Sequence, residues 1–188
     1  MKSASSISFV TAILAGLTIL ATPAQAQLRD VPQEVAFAER NLGGPRLGVT
    51  YVMGGGNGEL LNKLRGKGIG SVISQFGWHF EYQIIPEGGG PQFVIQGIPF
   101  LGAVEYGTVV PSLTVAMGVR LPDGFEFGLG PNVIIGGTKG ANTSLVAAVG
   151  KSFNYGGVSI PINLAFATSP TGNRLSVIFG YAIAGATK

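Results

Sequence analysis

Alternation of large apolar residues with small or polar residues constrains the fold of this chain more than any other feature. Between positions 71 and 86 the even positions carry Val72, Ser74, Phe76, Trp78, Phe80, Tyr82 and Ile84. The odd positions carry Ser71, Ile73, Gln75, Gly77, His79, Glu81 and Gln83. Because successive side chains of a β-strand point to opposite faces, this segment is predicted to be a strand with one apolar, aromatic face and one largely polar face.

The same period of two recurs along the chain and predicts eight strands. They are expected at 46–53, 71–86, 92–104, 109–121, 125–136, 143–153, 158–167 and 174–183. Turn-forming segments separate the strands, among them PEGGGP at 86–91 and PDG at 122–124. The alternation loses its phase around Gly97, Ile98 and Pro99, where a bulge or bend is predicted.

The composition of the two faces indicates which one lies outside. Charged residues make up 11% of the chain, against roughly 25% in soluble domains. The second face consists mostly of Gly, Ala, Ser, Thr, Asn and Gln, which suit the narrow interior of an eight-stranded barrel. The apolar face is then expected to contact lipid. The prediction is an all-β fold: an eight-stranded antiparallel up-and-down transmembrane β-barrel over residues 46–188, preceded by a short non-barrel segment.

Aromatic residues concentrate toward one end of the predicted strands. If the N-terminus is periplasmic, the periplasmic strand ends carry Phe80, Tyr82, Phe93, Phe125, Phe127, Phe153, Tyr155, Phe179 and Tyr181. A belt of aromatic rings at the membrane–water interface is typical of membrane barrels.

The first 26 residues have the pattern of a cleavable signal peptide. Lys2 precedes a short apolar core at 9–21, and the sequence Ala24-Gln25-Ala26 fits a small-x-small cleavage site. Export through the inner membrane and residence in the outer membrane are therefore expected. Residues 27–45 are more charged than the rest and show no strand alternation. They are predicted to form a periplasmic segment or a plug in the lumen.

The PDG turn predicts an ion pair inside the barrel. A three-residue loop at 122–124 places Arg120 opposite Glu126 on the inner face. An unpaired buried charge is costly, so the two side chains are expected to pair. Arg174 and Glu81 also fall on inner-face positions and are predicted to join the same polar network.

His79 and Glu81 leave two interpretations open, a catalytic base with its orienting carboxylate or part of an interior polar network. The network is favoured, because both side chains are expected to face the lumen rather than lipid. His79 is the only histidine and cysteine is absent, which is a poor ligand set for a metal. No metal or cofactor is expected, and a net charge of +3 is too slight to indicate nucleic-acid binding, which would require clustered basic residues.

One basic amphipathic stretch, ELLNKLRGKG at 59–68, follows a glycine-rich segment in the longest predicted surface loop. The glycines lack P-loop spacing. Lys63, Arg65 and Lys67 are candidates for contact with lipopolysaccharide phosphates. The alternative is a solvated loop helix with no ligand.

The stretches ISQFGWHFEYQ at 73–83 and PSLTVAMGVRLPDGFEFGLGPN at 111–132 resemble small, mostly uncharacterised outer-membrane β-barrel proteins of Gram-negative bacteria. The resemblance extends over 46–184 and implies fold, location and insertion by the outer-membrane assembly machinery, but no catalytic motif. Such barrels commonly end on an aromatic residue that this machinery reads. Here the last aromatic is Tyr181, so we expect an insertion signal inside the last strand or a different insertion route.

The expected function is a structural or envelope-interaction role without a wide pore, because eight strands enclose little space. Two alternatives stay open. One is a barrel enzyme that modifies envelope lipid through His79 and Glu81, although the serine motif of the lipid A-modifying barrels that it resembles is absent. The other is a soluble periplasmic β-barrel that binds an apolar ligand inside.

Overall fold

The computed structural model describes residues 37–54, 58–137, 140–155 and 158–184. The predicted signal peptide lies outside these residues. The strands are β1 (Phe37–Met53), β2 (Val72–Pro86), β3 (Gln92–Gly102), β4 (Val110–Arg120), β5 (Phe125–Gly137), β6 (Gly140–Tyr155), β7 (Val158–Thr168), β8 (Asn173–Gly180) and β9 (Ala182–Ala184). One helix, α1, spans Glu59–Gly66, and a single 3₁₀ turn spans Val104–Tyr106.

All neighbouring strands pair antiparallel in chain order, and β1 pairs with both β2 and β8, which closes the sheet. β9 keeps the register of β8 against both β1 and β7, so β8 and β9 together form the eighth strand of the barrel. The break falls at Tyr181, whose N–H donates to the carbonyl of Pro45. Proline has no N–H to return that bond. The predicted eight-stranded antiparallel barrel is confirmed.

We call the end of the barrel with the β2–β3, β4–β5 and β6–β7 connections the turn end, and the opposite end the loop end. Both the start of β1 and the end of β9 lie at the turn end, since Phe37 pairs with Pro86 and Ile183 pairs with Val158. The loop end carries the long connection between β1 and β2, which contains α1.

Apolar side chains face outward and polar side chains face inward. On β2, Phe76, Trp78 and Phe80 are 55%, 46% and 58% exposed, whereas His79 and Glu81 between them are 1% and 3% exposed. The other strands repeat this arrangement, with exposed Leu47, Leu113, Val115, Met117, Leu129, Leu145, Ile162 and Val177. A soluble barrel would bury these apolar side chains.

Rings of the predicted belt are exposed in the half of the barrel toward the turn end. They are Phe80, Phe93, Phe125, Phe127, Phe153, Tyr155, Phe179 and Tyr181, and Tyr82 is half-buried. Exposed rings also occur away from the belt, at Tyr51, Phe76 and Phe166. The rings are thus enriched at the turn end without being confined to it.

The first strand begins nine residues earlier than the alternation predicted, and residues 37–45 belong to β1 rather than to a separate segment. Their outward positions carry Glu39, Asn41, Gly43 and Pro45 instead of large apolar residues. Backbone pairing to β2 therefore continues past the apolar band, where side-chain alternation gives no signal. The remainder of the predicted segment, 27–36, lies outside the described residues.

The sequence predicts a bulge or bend near Gly97–Pro99, and no bulge occurs there. β3 keeps one register with β2 on both sides of this point, because Gly77 pairs with Phe100 and Phe80 pairs with Gly97. Only the pairing between them is interrupted. The carbonyl of Pro99 approaches so closely that a Cβ on Gly77 would lie 2.1 Å from its oxygen. A register shift occurs instead between Ile135 and Gly137, near the β5–β6 connection.

Helix α1 packs against inward-facing residues at the loop end. Leu60, Leu61 and Leu64 contact a buried cluster of Val52, Ile69, Ile73 and Ala103. The N–H of Leu60 donates to the carbonyl of Thr171 in the β7–β8 connection at 2.9 Å. The helix is thereby attached to two connections of the loop end.

No helix in the described part of the chain is long and apolar enough to cross a membrane.

Candidate functional site

A buried ion cluster in the lumen is centred on Arg120. Its Nη1 and Nη2 donate to the two carboxylate oxygens of Glu81 at 2.6 and 2.9 Å. Its Nε and Nη2 donate to Oε2 of Glu126 at 2.9 and 2.6 Å. Arg120 and Glu126 are directly opposite across the tight turn between β4 and β5, and Glu81 comes from β2. One guanidinium thus holds two carboxylates, in the fork geometry that favours Arg over Lys.

Neutral side chains donate further hydrogen bonds to the two carboxylates of this cluster. The Glu81 carboxylate accepts from the side-chain amides of Gln83 and Gln96, the latter at 2.9 Å. The Glu126 carboxylate accepts from the amide of Asn163 and from the hydroxyl of Ser152. Buried carboxylates are tolerated only when paired and hydrogen-bonded. The cluster is therefore a fully bonded interior network.

His79 lies between Arg46 and Glu81. Nη2 of Arg46 donates to Nδ1 of His79 at 2.9 Å. Because Nδ1 accepts this bond, the neutral ring carries its proton on Nε2. Nε2 lies 3.1 Å from Oε2 of Glu81 but is poorly aligned for a hydrogen bond.

Within the described ranges, no hydroxyl group hydrogen-bonds to His79. A base that activates a nucleophile needs that nucleophile within hydrogen-bonding reach. No group of three potential metal ligands occurs among the described residues either. The geometry of His79 and Glu81 is that of a polar network.

Arg174 lies apart from the ion cluster. Its Nη2 donates to Oδ1 of Asn132 at 2.9 Å and to Oγ of Ser144 at 2.5 Å. No carboxylate of the described residues pairs with it. The structure therefore joins Glu81 to the Arg120–Glu126 pair, as the sequence suggested, but leaves Arg174 outside.

The ion cluster divides the free space of the lumen. A cavity of about 280 Å³ opens toward the turn end and is lined by Arg40, Gln83, Gln92 and Arg120 among others. A second cavity of about 80 Å³ is lined by Arg46, Thr50, Glu126 and Arg174 among others. Arg120 faces the first cavity and Glu126 faces the second. The bonds between these side chains obstruct the path from one cavity to the other.

Helix α1 and Lys67, the residue that follows it, present the three predicted basic residues outward. Lys63, Arg65 and Lys67 are exposed, while the leucines on the other side of the helix pack inward. Nζ of Lys63 lies 2.5 Å from Oε1 of Glu59, one turn earlier. The structure thus brings a basic surface to the loop end, and we call Lys63, Arg65 and Lys67 the basic face of α1.

A second connection at the loop end is tied to β2. The N–H of Ser74 donates to Oε1 of Glu105 at 2.6 Å, and the Ser74 hydroxyl donates to Oε2. The Tyr106 hydroxyl donates to the carbonyl of Val72 at 2.9 Å. Slight desolvation acts to raise the pKa of Glu105, but the bonds from Ser74 outweigh it, and the pKa is lowered.

The sequence argument did not single out Arg46, Gln83, Gln96 or Asn163. Gln83 shares the inward phase of Glu81 on β2, so the alternation already contained that assignment. Arg46 stood at the weakly patterned start of the first predicted strand. Gln96 and Asn163 meet the carboxylates from β3 and β7, which requires the register of the closed barrel.

Comparison with known proteins adds little to this description. No family model matches the chain, and no curated protein matches it. Among solved structures the chain is similar to Ail, the attachment invasion locus protein of Yersinia pestis, whose crystal structure was solved in complex with the heparin analogue sucrose octasulfate. The alignment covers 78% of this chain and 97% of Ail, with 10% sequence identity and a TM-score of 0.42. The fold assignment rests on the strand pairing described above.

Proposed function

We propose that this chain is exported by a cleaved signal peptide and spans the outer membrane as a closed barrel with a structural or envelope-interaction role. The observation that carries the proposal is the outward apolar band around an interior that contains paired charges. Lipid is the solvent in which such a band is stable, and a closed barrel leaves no strand edge unpaired there.

The position of Lys151 supports a membrane interface at the turn end. This lysine is on the outward face of β6, and its Nζ lies 4.5 Å from the ring centre of Phe125 and 5.9 Å from that of Phe153. A lysine stem can lie along apolar surface while its charge reaches the headgroups. Its place among the aromatic rings is that of an interfacial residue.

Cell fractionation tests this location. We expect the protein in the outer-membrane fraction, extractable with detergent, with faster gel migration before boiling than after. Release with the soluble periplasm would overturn the proposal, because an apolar exterior would then have to be covered by something other than lipid.

The barrel is proposed to conduct no solute. The Glu81–Arg120–Glu126 cluster crosses the lumen in its half toward the turn end, and α1 packs across inward-facing residues at the loop end. In a planar bilayer we expect no stable single-channel conductance from the purified protein. Reproducible ohmic steps from the folded species would contradict a closed lumen.

We further propose that the basic face of α1 contacts phosphate groups of lipopolysaccharide at the loop end. Juxtamembrane cations are attracted to anionic headgroups, each contributing about 1 kcal/mol near a charged surface. Arg65 and Arg40 form a matched pair, since both are exposed and they lie at opposite ends of the barrel. We expect Arg65→Gln to weaken binding to lipopolysaccharide micelles and Arg40→Gln to leave it unchanged. Equal effects of the two variants would indicate charge attraction without a site.

A further inference from the structure

Two buried arginines in the lumen have no carboxylate within ion-pair distance among the described residues. Arg46 is 3% exposed and Arg174 is 7% exposed. Arg46 contacts His79, and Arg174 contacts Asn132 and Ser144, all of which are neutral groups in this arrangement. In each guanidinium one nitrogen, Nη1 of Arg46 and Nε of Arg174, is buried without any hydrogen-bond partner among the described residues.

The buried charges of the lumen do not balance. Three arginines are buried there with two glutamates, and both glutamates are bonded to Arg120. His79 does not compensate, because its Nδ1 accepts from Arg46 and the ring is therefore neutral. A buried charge without a counter-charge is strongly unfavourable. Among the described residues, the interior is thus short of one negative charge.

Both arginines line the same cavity of about 80 Å³. A single water molecule needs roughly 10–15 Å³ measured in this way, so there is room for an ion with part of its hydration shell. Thr50 and Ser176, which hydrogen-bond to each other at 2.7 Å, add hydroxyl groups to the wall. Glu126 also lines the cavity, but its oxygens already accept from Arg120, Ser152 and Asn163.

We propose that this cavity binds a small inorganic anion, of the size of chloride, at the guanidinium of Arg174. Arg174 supplies a guanidinium at the cavity wall, and Arg46 adds positive potential from the same cavity. The bound ion supplies the missing negative charge and leaves the interior neutral. This site is independent of the basic face of α1, which lies on the exposed side of the loop end.

Equilibrium unfolding by urea in detergent micelles tests the site. Sodium chloride is exchanged for sodium gluconate at constant ionic strength, because gluconate is too large for the cavity. We expect the urea midpoint to rise with chloride. Above the dissociation constant, each tenfold increase in chloride lowers the unfolding constant tenfold, if the unfolded chain binds none.

Variants locate the effect. Arg174→Gln removes the guanidinium and its charge from the cavity wall, and we expect it to abolish the chloride dependence. Arg40→Gln, at an exposed arginine, is the matched control and keeps that dependence. The proposal is wrong if the wild-type midpoint does not depend on chloride, or if Arg174→Gln responds to chloride as the wild type does.

If Arg174→Gln does not fold, a crystal of the wild-type protein grown in sodium bromide tests whether an anion binds at Arg174. An anomalous peak within hydrogen-bonding distance of the Arg174 guanidinium supports the site. Absence of a peak from the cavity shows that water alone fills it and overturns the proposal.

Discussion

Arg120 shows how a single inward residue organises the barrel interior. It connects β4 to β5 through Glu126 and to β2 through Glu81, across strands that are not adjacent. Both carboxylates therefore depend on one guanidinium for their counter-charge. If Arg120 is lost, their remaining hydrogen-bond donors are neutral amides and a hydroxyl, and His79 is poorly aligned to replace it.

We expect Arg120→Met to destabilise the folded barrel by about 3–5 kcal/mol, because breaking one side of a buried ion cluster leaves unpaired charge. Adding Glu81→Gln and Glu126→Gln removes the unpaired carboxylates and should recover a large part of that loss. Urea unfolding in detergent measures both variants. A triple variant no more stable than Arg120→Met would show that lost packing, not uncompensated charge, causes the effect.

Glu105 links pH to the order of the β3–β4 connection. Hydrogen bonds from Ser74 outweigh a slight desolvation and lower the pKa of Glu105 from its ordinary 4.5. A carboxyl group with a lowered folded-state pKa contributes stability above its unfolded pKa, and this contribution is lost as pH falls through the folded pKa. Below pH 4.5 we therefore expect the amides of 103–109 to exchange faster relative to their intrinsic rates than they do at neutral pH.

The Glu105→Gln variant is the control for this pH effect. It cannot ionise, so amide exchange in the connection, corrected for the intrinsic pH dependence, should no longer change across the acid range. Persistence of the same pH response in Glu105→Gln would assign it to another group.

At the scale of elements, glycine permits the close approach of neighbouring strands at particular inward positions. Gly128 and Gly130 share the inward face of β5. A Cβ on Gly130 would lie 2.0 Å from the carbonyl oxygen of Val115, whereas a Cβ on Gly128 would have no contact closer than 3.8 Å. The strand pair β4–β5 is thus tighter at one of these positions than at the other.

We expect Gly130→Ala to destabilise the barrel by about 1–3 kcal/mol, because the strands must separate to admit the methyl group. Gly128→Ala is the matched control on the same face and should be nearly neutral. Refolding yield and urea midpoint in detergent compare the two. Equal stability of the two variants would contradict the strand separation described here.

The leucines of helix α1 pack it onto the loop end. Leu64 packs on the buried cluster beneath it, whereas Asn62 is exposed on the same helix. We expect Leu64→Ser to release the connection and to increase its cleavage by proteases, while the strands stay folded. Limited proteolysis followed by mass spectrometry measures this. Asn62→Ser should leave the cleavage unchanged, and comparable cleavage in both variants would show that the helix is not packed as described.

At the scale of the whole molecule, alternation and turn chemistry were enough to predict the barrel and its inverted polarity. Large apolar residues at every second position predict a strand. If that apolar face meets lipid, it must lie on the outside of a closed sheet, so the same pattern also predicts which side chains point inward. The Arg120–Glu126 pairing followed from a short turn, which fixes register locally. The start of β1 was not predictable, because its outward residues lie beyond the apolar band.

The sequence by itself therefore determined the number of strands, the face that each side chain of the apolar band occupies, and the pairing across the shortest turn. These are local properties, set by neighbours in the chain. Only the closed tertiary structure decided that Glu81 joins Arg120 while Arg174 does not, that α1 packs on the loop end, and that Arg46 and Arg174 share a cavity. Those contacts depend on how far each strand is displaced along its neighbour around the whole barrel, and no single segment of the chain contains that displacement.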